Sequence, residues 1–252
     1  MDFQTLALLA LAVGPAVAII TYFYTKDKHD REPFGVLLVC FLTGCFSVVP
    51  AIILEELLPA LVPGSNGDSL ISVAIYTFII VAGSEELSKY IFLRYYAYKK
   101  PSFNEPYDGI IYAVMVGMGF ATIENLMYIF DAETLTAAWT TAGLRAVTAV
   151  PAHATFAAIM GYYIGLAKFN HTNERKLMLQ GFTGAVILHG FYDFFLFQNL
   201  TAGLYIGAVI SLIIGIRFSV RSMKLHKQHP HAIQHQTIAV EKDAFESPNK
   251  PQ

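Results

Sequence analysis

The sequence predicts an all-α fold: a polytopic membrane bundle of about seven transmembrane helices, N-terminus outside and C-terminus cytoplasmic. Three observations carry this expectation. Only 14 % of the 252 residues are charged, against roughly 25 % in ordinary soluble proteins. Hydrophobic residues make up 55 % and the mean hydropathy is +0.49. The apolar residues fall into seven runs long enough for a bilayer core of roughly 30 Å, and none alternates like a barrel strand. The same composition excludes disorder for most of the chain. A net charge of -2 gives no reason to expect nucleic-acid binding.

The runs are, in order, 4–24, 34–54, 70–97, 109–130, 139–167, 177–197 and 201–219. The first resembles a signal peptide at Ala16-Val17-Ala18, but it begins without a basic residue and stays apolar past that point, so a retained helix is expected. The second holds Cys40 and Cys45 together, which argues against a disulfide framework or a cysteine zinc site. The third and fifth are over-long and should tilt or protrude. The seventh is the shortest. Residues 1–220 form the bundle in this reading, and 221–252 a polar cytoplasmic tail. Its His226, His229, His231 and His235 could bind metal, but a solvated, disordered tail is the simpler expectation.

Lysine and arginine orient the bundle. Lys26, Lys28 and Arg31 lie in one loop, Arg94, Lys99 and Lys100 in a second, and Lys168, Arg175 and Lys176 in a third. The alternate loops, 55–69, 131–138 and 198–200, have none. With six in the segment from Arg217 onward, 15 of the 17 basic residues fall on one face. By the positive-inside rule that face is cytoplasmic.

Six charged residues remain inside the runs: Glu85, Glu86, Lys89, Glu124, Arg145 and Asp193, with His153 and His189 beside them. Each is costly within a bilayer, so such groups face a polar cavity, pair with one another and mark a function. Glu85 and Glu86 precede Lys89 by four and three residues, so both can reach its ammonium on a helix. His189 and Asp193 are likewise four apart. Small residues share their stripes: Gly181 and Ala185 with His189, and Ala157, Gly161 and Gly165 with His153. Ala113, Gly117 and Ala121 form a similar stripe near Glu124. Such stripes let helices pack closely, which puts the polar groups on packed faces. Counted from the cytoplasmic ends, Glu85, Glu124, His153 and His189 lie about 16–22 Å deep, in one layer. Arg145, early in its run, reads as a snorkelling or structurally paired cation. Glu55-Glu56, at a helix end before Leu57-Leu58-Pro59, reads as an interfacial pair.

Paired carboxylates with a cation alongside can keep one group poised as a general base toward water. His153, His189 and a carboxylate from Glu124 or Asp193 match the ligand set of a catalytic zinc site. Alternatively, Glu85 or Glu86 activates water without metal and a histidine stabilises the oxyanion. Both amount to hydrolysis of an acyl bond inside a membrane cavity. There is no His-Glu-x-x-His pair, no credible Gly-x-Ser-x-Gly elbow, and Asp193 is the only aspartate within the runs.

Four segments together resemble PrsW-type intramembrane proteases. Gly83-Ser84-Glu85-Glu86-Leu87-Ser88-Lys89 matches their Glu-Glu-x-x-Lys motif, and Phe120-Ala121-Thr122-Ile123-Glu124-Asn125 their Phe-x-x-x-Glu-Asn motif. His153-Ala154 with Gly161 and Gly165 matches a third. His189-Gly190-Phe191-Tyr192-Asp193 matches their His-x-x-x-Asp motif. The motifs stand in family order and the resemblance covers roughly residues 10–215. It implies a bacterial inner-membrane protease, similar to the CAAX prenyl endopeptidases, whose single-span substrate is an anti-sigma factor given its first cut. It implies Glu85, Glu86, Lys89 and His189 as catalytic, with Glu124, Asn125, His153 and Asp193 lining the site. The family is grouped with metalloproteases, although relatives have been argued to be metal-free glutamate proteases. Two other functions use the same residues. A proton- or cation-coupled transporter would use the buried Glu, His and Asp as a relay, but no internal repeat is visible. A seven-span sensor would instead depend on the tail.

Overall fold

The computed structural model describes residues 2–27, 31–198 and 202–228, and among them there are helices and no strands. The first run becomes α1 (Phe3–Lys26), opened by Asp2, whose carboxylate accepts from Thr5 N at 2.8 Å. The second becomes α2 (Phe34–Leu57), which starts directly after Pro33. The third run is α3 (Leu70–Ile75), a π-helical segment at Tyr76–Val81, and α4 (Ala82–Tyr95), without a break. The fourth is α5 (Pro106–Phe130), beginning three residues earlier than expected. Pro106 sits in its first turn, and Glu105 and Asp108 form a reciprocal capping box.

The fifth run is two helices, α6 (Leu135–Val147) and α7 (Ala149–Lys168). Pro151 explains the break. It has no N–H to offer Val147, and its ring crowds that carbonyl, so the chain swerves at Thr148 (φ -123, ψ -71). The sixth run is α8 (Glu174–Phe197) and the seventh α9 (Ile206–Gln228). The last helix therefore passes the expected 220/221 boundary. Ala208, Ser211, Ser219, Ser222, Met223 and His226 are buried along one side of it. His226 stacks on Tyr162 at 4.4 Å, so it is a packed residue and not part of a solvated tail. Three of these six are serines, which lowers the hydropathy of the buried face. His229, His231 and His235 lie outside the described residues.

Six helical stretches are long and apolar enough to cross a membrane. The seventh expected span, α8, is as long as α1 at 24 residues, but Gln180, His189 and Asp193 lower its hydropathy. The protein is a multi-pass helical bundle with α5 at its centre, where every residue from Pro106 to Thr122 is buried. Large apolar side chains such as Phe46, Ile71, Leu179 and Ile214 are exposed on its outside.

The expected small-residue stripes meet. A Cβ on Gly109 would lie 2.4 Å from Gly161 O and 2.6 Å from Gly165 N, and one on Gly117 would lie 2.8 Å from Ala157 Cβ. Only hydrogen fits at such contacts, so α5 and α7 approach to backbone distance. Both cysteines are free. At the end carrying the basic loops, Glu32 accepts from the Tyr112 hydroxyl, which also bonds Ser102 Oγ at 2.6 Å. Burial, and the Asp108 carboxylate beside it, push the Glu32 carboxyl up to about 9.

Candidate active site

The π-helical segment sets the geometry of the acidic pair. Ala82 N–H reaches back five residues to Thr77 O. One extra residue turns all that follows by about 100°, and such turns recur at functional sites. Phe78 within it packs edge-on against Phe191 (4.9 Å between centroids), where Gly190 leaves room for the ring. The start of α4 is thereby held against the turn of α8 that carries His189.

On α4, Lys89 Nζ donates to Glu85 Oε2 at 3.0 Å and Glu86 Oε1 at 2.8 Å, as the spacing predicts. Its third contact is His153 Nδ1 at 3.3 Å. An ammonium only donates, so Nδ1 is the acceptor and Nε2 of that ring carries the hydrogen. Nε2 faces Glu124 Oε2 at 2.7 Å, and the bond is complete. The ammonium also lies 3.9 Å from the Phe120 ring centroid. All three of its protons are used, which suits a cation with almost no water.

Glu124 is also held by Arg145 NH2 at 2.8 Å. Arg145 Nε donates to Asn125 Oδ1 at 2.7 Å, and the guanidinium covers the Tyr128 ring at 4.1 Å. Asn125 Nδ2 donates to Ala12 O at 3.1 Å. This is where the structure places Asn125, expected to line the site. It is fully buried between α1 and Arg145 and does not reach the cavity. Arg145 does reach it.

On α8, His189 Nδ1 meets Glu86 Oε1 at 3.0 Å and Nε2 meets Asp193 Oδ2 at 3.1 Å, with Glu85 Oε2 at 4.0 Å. Its ring is stacked on Phe156 at 4.5 Å and lies edge-on to His153 at 5.4 Å. The four spans expected to converge do so, at one level.

These groups border a cavity of about 1460 Å³. Glu85, Glu124, His153, His189 and Asp193 line it, whereas Glu86 and Lys89 stand behind the wall. The cavity extends toward the end of the bundle without basic loops, past Tyr76, Asp131, Phe197 and Tyr205. Glu55 also lines it, partly buried, while Glu56 is exposed. Both stand at the cavity, Glu56 on its open edge. Val48, Ala51, Ile52, Glu55 and Glu56 follow i, i+3, i+4, i+7, i+8, one helix face turned to the cavity.

Carboxylates and imidazoles gathered in a cavity among membrane-length helices are the marks of an intramembrane peptidase, and comparison with known proteins agrees. Residues 32–217 match the family model described as PrsW family intramembrane metalloprotease. The chain belongs to the PrsW family and is a hydrolase. It is 36 % identical over 201 residues to Protease PrsW of Geobacillus kaustophilus, covering 80 % of this chain and 84 % of that one. With Protease PrsW of Clostridioides difficile it shares 37 % over 232 residues, 90 % and 93 % of the two chains. With that of Bacillus subtilis it shares 33 % over 191 residues, 75 % and 83 %. No solved structure matches it.

The family description implies a metal. Glu85, His153 and His189, all buried, each offer a ligand atom, and these lie within 4.8 Å of one another. One carboxylate and two imidazoles beside a cavity are the donor set of a catalytic zinc site, so the residues fit. The expected set of Glu124, His153, His189 and Asp193 is not the one gathered most tightly. Glu124 and Asp193 each hold a histidine through its ring nitrogen instead, a supporting role common around metal sites.

Proposed function

We propose that the chain hydrolyses a peptide bond in or next to the membrane span of a single-span protein, with Glu85 activating the attacking water. One observation carries the assignment between the two glutamates: Glu85 lines the cavity and Glu86 does not. Glu85 Oε2 is held by Lys89, and Oε1 takes no part in that ion pair. Glu85 removes a proton from water as the water oxygen attacks the carbonyl carbon. It then gives that proton to the amide nitrogen as the C–N bond breaks. Glu86 holds His189 by Nδ1 from behind the wall, which turns Nε2 toward Glu85 and Asp193 at the cavity. Nε2–H is the donor for the developing oxyanion. Glu124 and Arg145 hold His153, and Lys89 bridges Glu85 and Glu86.

A zinc ion held by Glu85, His153 and His189 would supply Lewis-acid polarisation of the carbonyl and a more acidic water. Elemental analysis of the purified protein together with chelator treatment separates the two versions. A fully active, metal-free preparation removes the zinc version.

The basic loops favour a bacterial inner-membrane protein whose cavity opens to the outer side. The family resemblance supplies an anti-sigma factor as the substrate class. The test is cleavage of a model single-span substrate in proteoliposomes. Glu85→Gln should lose about 10²–10⁴-fold in kcat, the range of a general base, while the variant inserts and melts like the parent. Cleavage by Glu85→Gln at the parental rate would overturn the assignment.

A further inference from the structure

The mechanism above leaves three carboxylates of the cavity unused, Glu55, Glu56 and Asp131, and of these only Glu55 is partly buried. Glu55 lines the wall from α2, partly buried, and among the described residues it has no hydrogen bond or ion pair. The carboxylates at the reacting groups are committed: Glu85 to Lys89, Glu124 to Arg145 and His153, Asp193 to His189. No lysine or arginine lies in the loops 55–69 and 131–138 at that end, and Arg145, the cation of the wall, is bound to Glu124 and Asn125. A partly desolvated carboxylate with no cation is unfavourable, and the low dielectric makes a cation that does arrive count for more.

Its surroundings say where that cation would be carried. Val48, Ala51 and Ile52 stand on the same face of α2 and also line the cavity. Val48 and Ala51 pack with Phe120, whose ring touches both Lys89 and His153. This apolar patch is therefore level with the reacting groups, and Glu55 lies one to two helical turns, about 6–10 Å, toward the mouth. In an extended peptide that is about two to three residues.

We propose that Glu55 is a specificity residue that pairs with a lysine or arginine of the substrate, two to three residues to the mouth side of the cleaved bond, while apolar substrate residues pack on Val48, Ala51 and Ile52. The proposal rests on the peptidase reading of the same cavity. Basic residues are scarce at the outer ends of membrane spans, so this contact separates a minority of single-span proteins from the rest.

The test uses the full chain in proteoliposomes and a model single-span substrate carrying Lys, Gln or Glu at each of four successive positions on the mouth side. The readout is the ratio of kcat/KM for Lys over Glu within each enzyme, which does not depend on how much of a variant folds. The parent should prefer Lys about tenfold or more at one position, mostly through KM. Glu55→Asp should keep the preference, Glu55→Gln should bring the ratio near one, and Glu55→Lys should invert it. A ratio that is the same in parent, Glu55→Gln and Glu55→Lys overturns the proposal and leaves the peptidase reading intact. Failure of the parent to cut any member of the series overturns both.

Discussion

Lys89 shows how much a single residue can organise. One ammonium holds two adjacent carboxylates and fixes the tautomer of His153. Removing it takes away the ammonium that bridges the buried Glu85 and Glu86, and breaking a buried pair from one side costs about 3–5 kcal/mol. Lys89→Met should therefore lower stability by that order in denaturant or thermal unfolding of the purified protein. The double variant Glu86→Gln/Lys89→Met should recover part of the loss, because contacting sites are not additive. Asn125 makes the opposite point. Its letters belong to a family motif, yet its bonds go to Arg145 and to the backbone of α1. Asn125→Ala should cost about 1–3 kcal/mol from the unpaired polar groups and reduce kcat far less than Glu85→Gln does. Loss of kcat equal to that of Glu85→Gln would place Asn125 in the chemistry instead.

Among the elements, the α5–α7 contact decides whether the site assembles, since Glu124 and His153 come from these two helices. Gly109→Ala puts a methyl group 2.4 Å from Gly161 O and should destabilise by about 1–3 kcal/mol, the range for overpacking. Gly14→Ala is the control: nothing lies within 4 Å of its added carbon, and a mid-helix alanine is favoured over glycine by up to about 1 kcal/mol. The connection between α1 and α2 yields a prediction in pH. Glu32 has a folded-state pKa of about 9 against an ordinary 4.5. Its burial is therefore tolerated best below about 4.5, and its contribution is lost as pH rises toward 9. Glu32→Gln keeps a neutral group there. Melting curves at pH 5, 7 and 9 should show the parent losing more stability with rising pH than the variant, and parallel curves would contradict the assignment.

For the whole molecule, the asymmetry between the two ends is the main feature. Basic loops crowd one end, and the cavity extends toward the other. The orientation proposed here is tested by single cysteines in a background lacking Cys40 and Cys45. Cysteines replacing Glu56 and Asp131 should react with a membrane-impermeant thiol reagent on intact cells, and one replacing Lys176 only after permeabilisation. The reverse pattern would put the cavity mouth in the cytoplasm and remove the argument for outer-side substrates.

The sequence by itself determined the class of fold, because twenty apolar residues in a row have few other uses and the scarce charges could be counted. It also determined most of the site: Glu85, Glu86 and Lys89 meet through fixed helical spacing, and the four polar spans share one depth. Three things needed the tertiary structure. The break at Thr148 turns one long apolar run into two helices, and local hydropathy does not register a missing backbone hydrogen bond at Pro151. Helix α9 continues through polar letters because serines face its neighbours. The division of labour among the acids, with Glu85 and Glu55 on the cavity, Glu86 behind the wall and Glu124 held by Arg145, depends on how each helix is rotated against the others. That rotation is set by the π-helical segment and by glycine contacts between distant parts of the chain, and no local spacing encodes it.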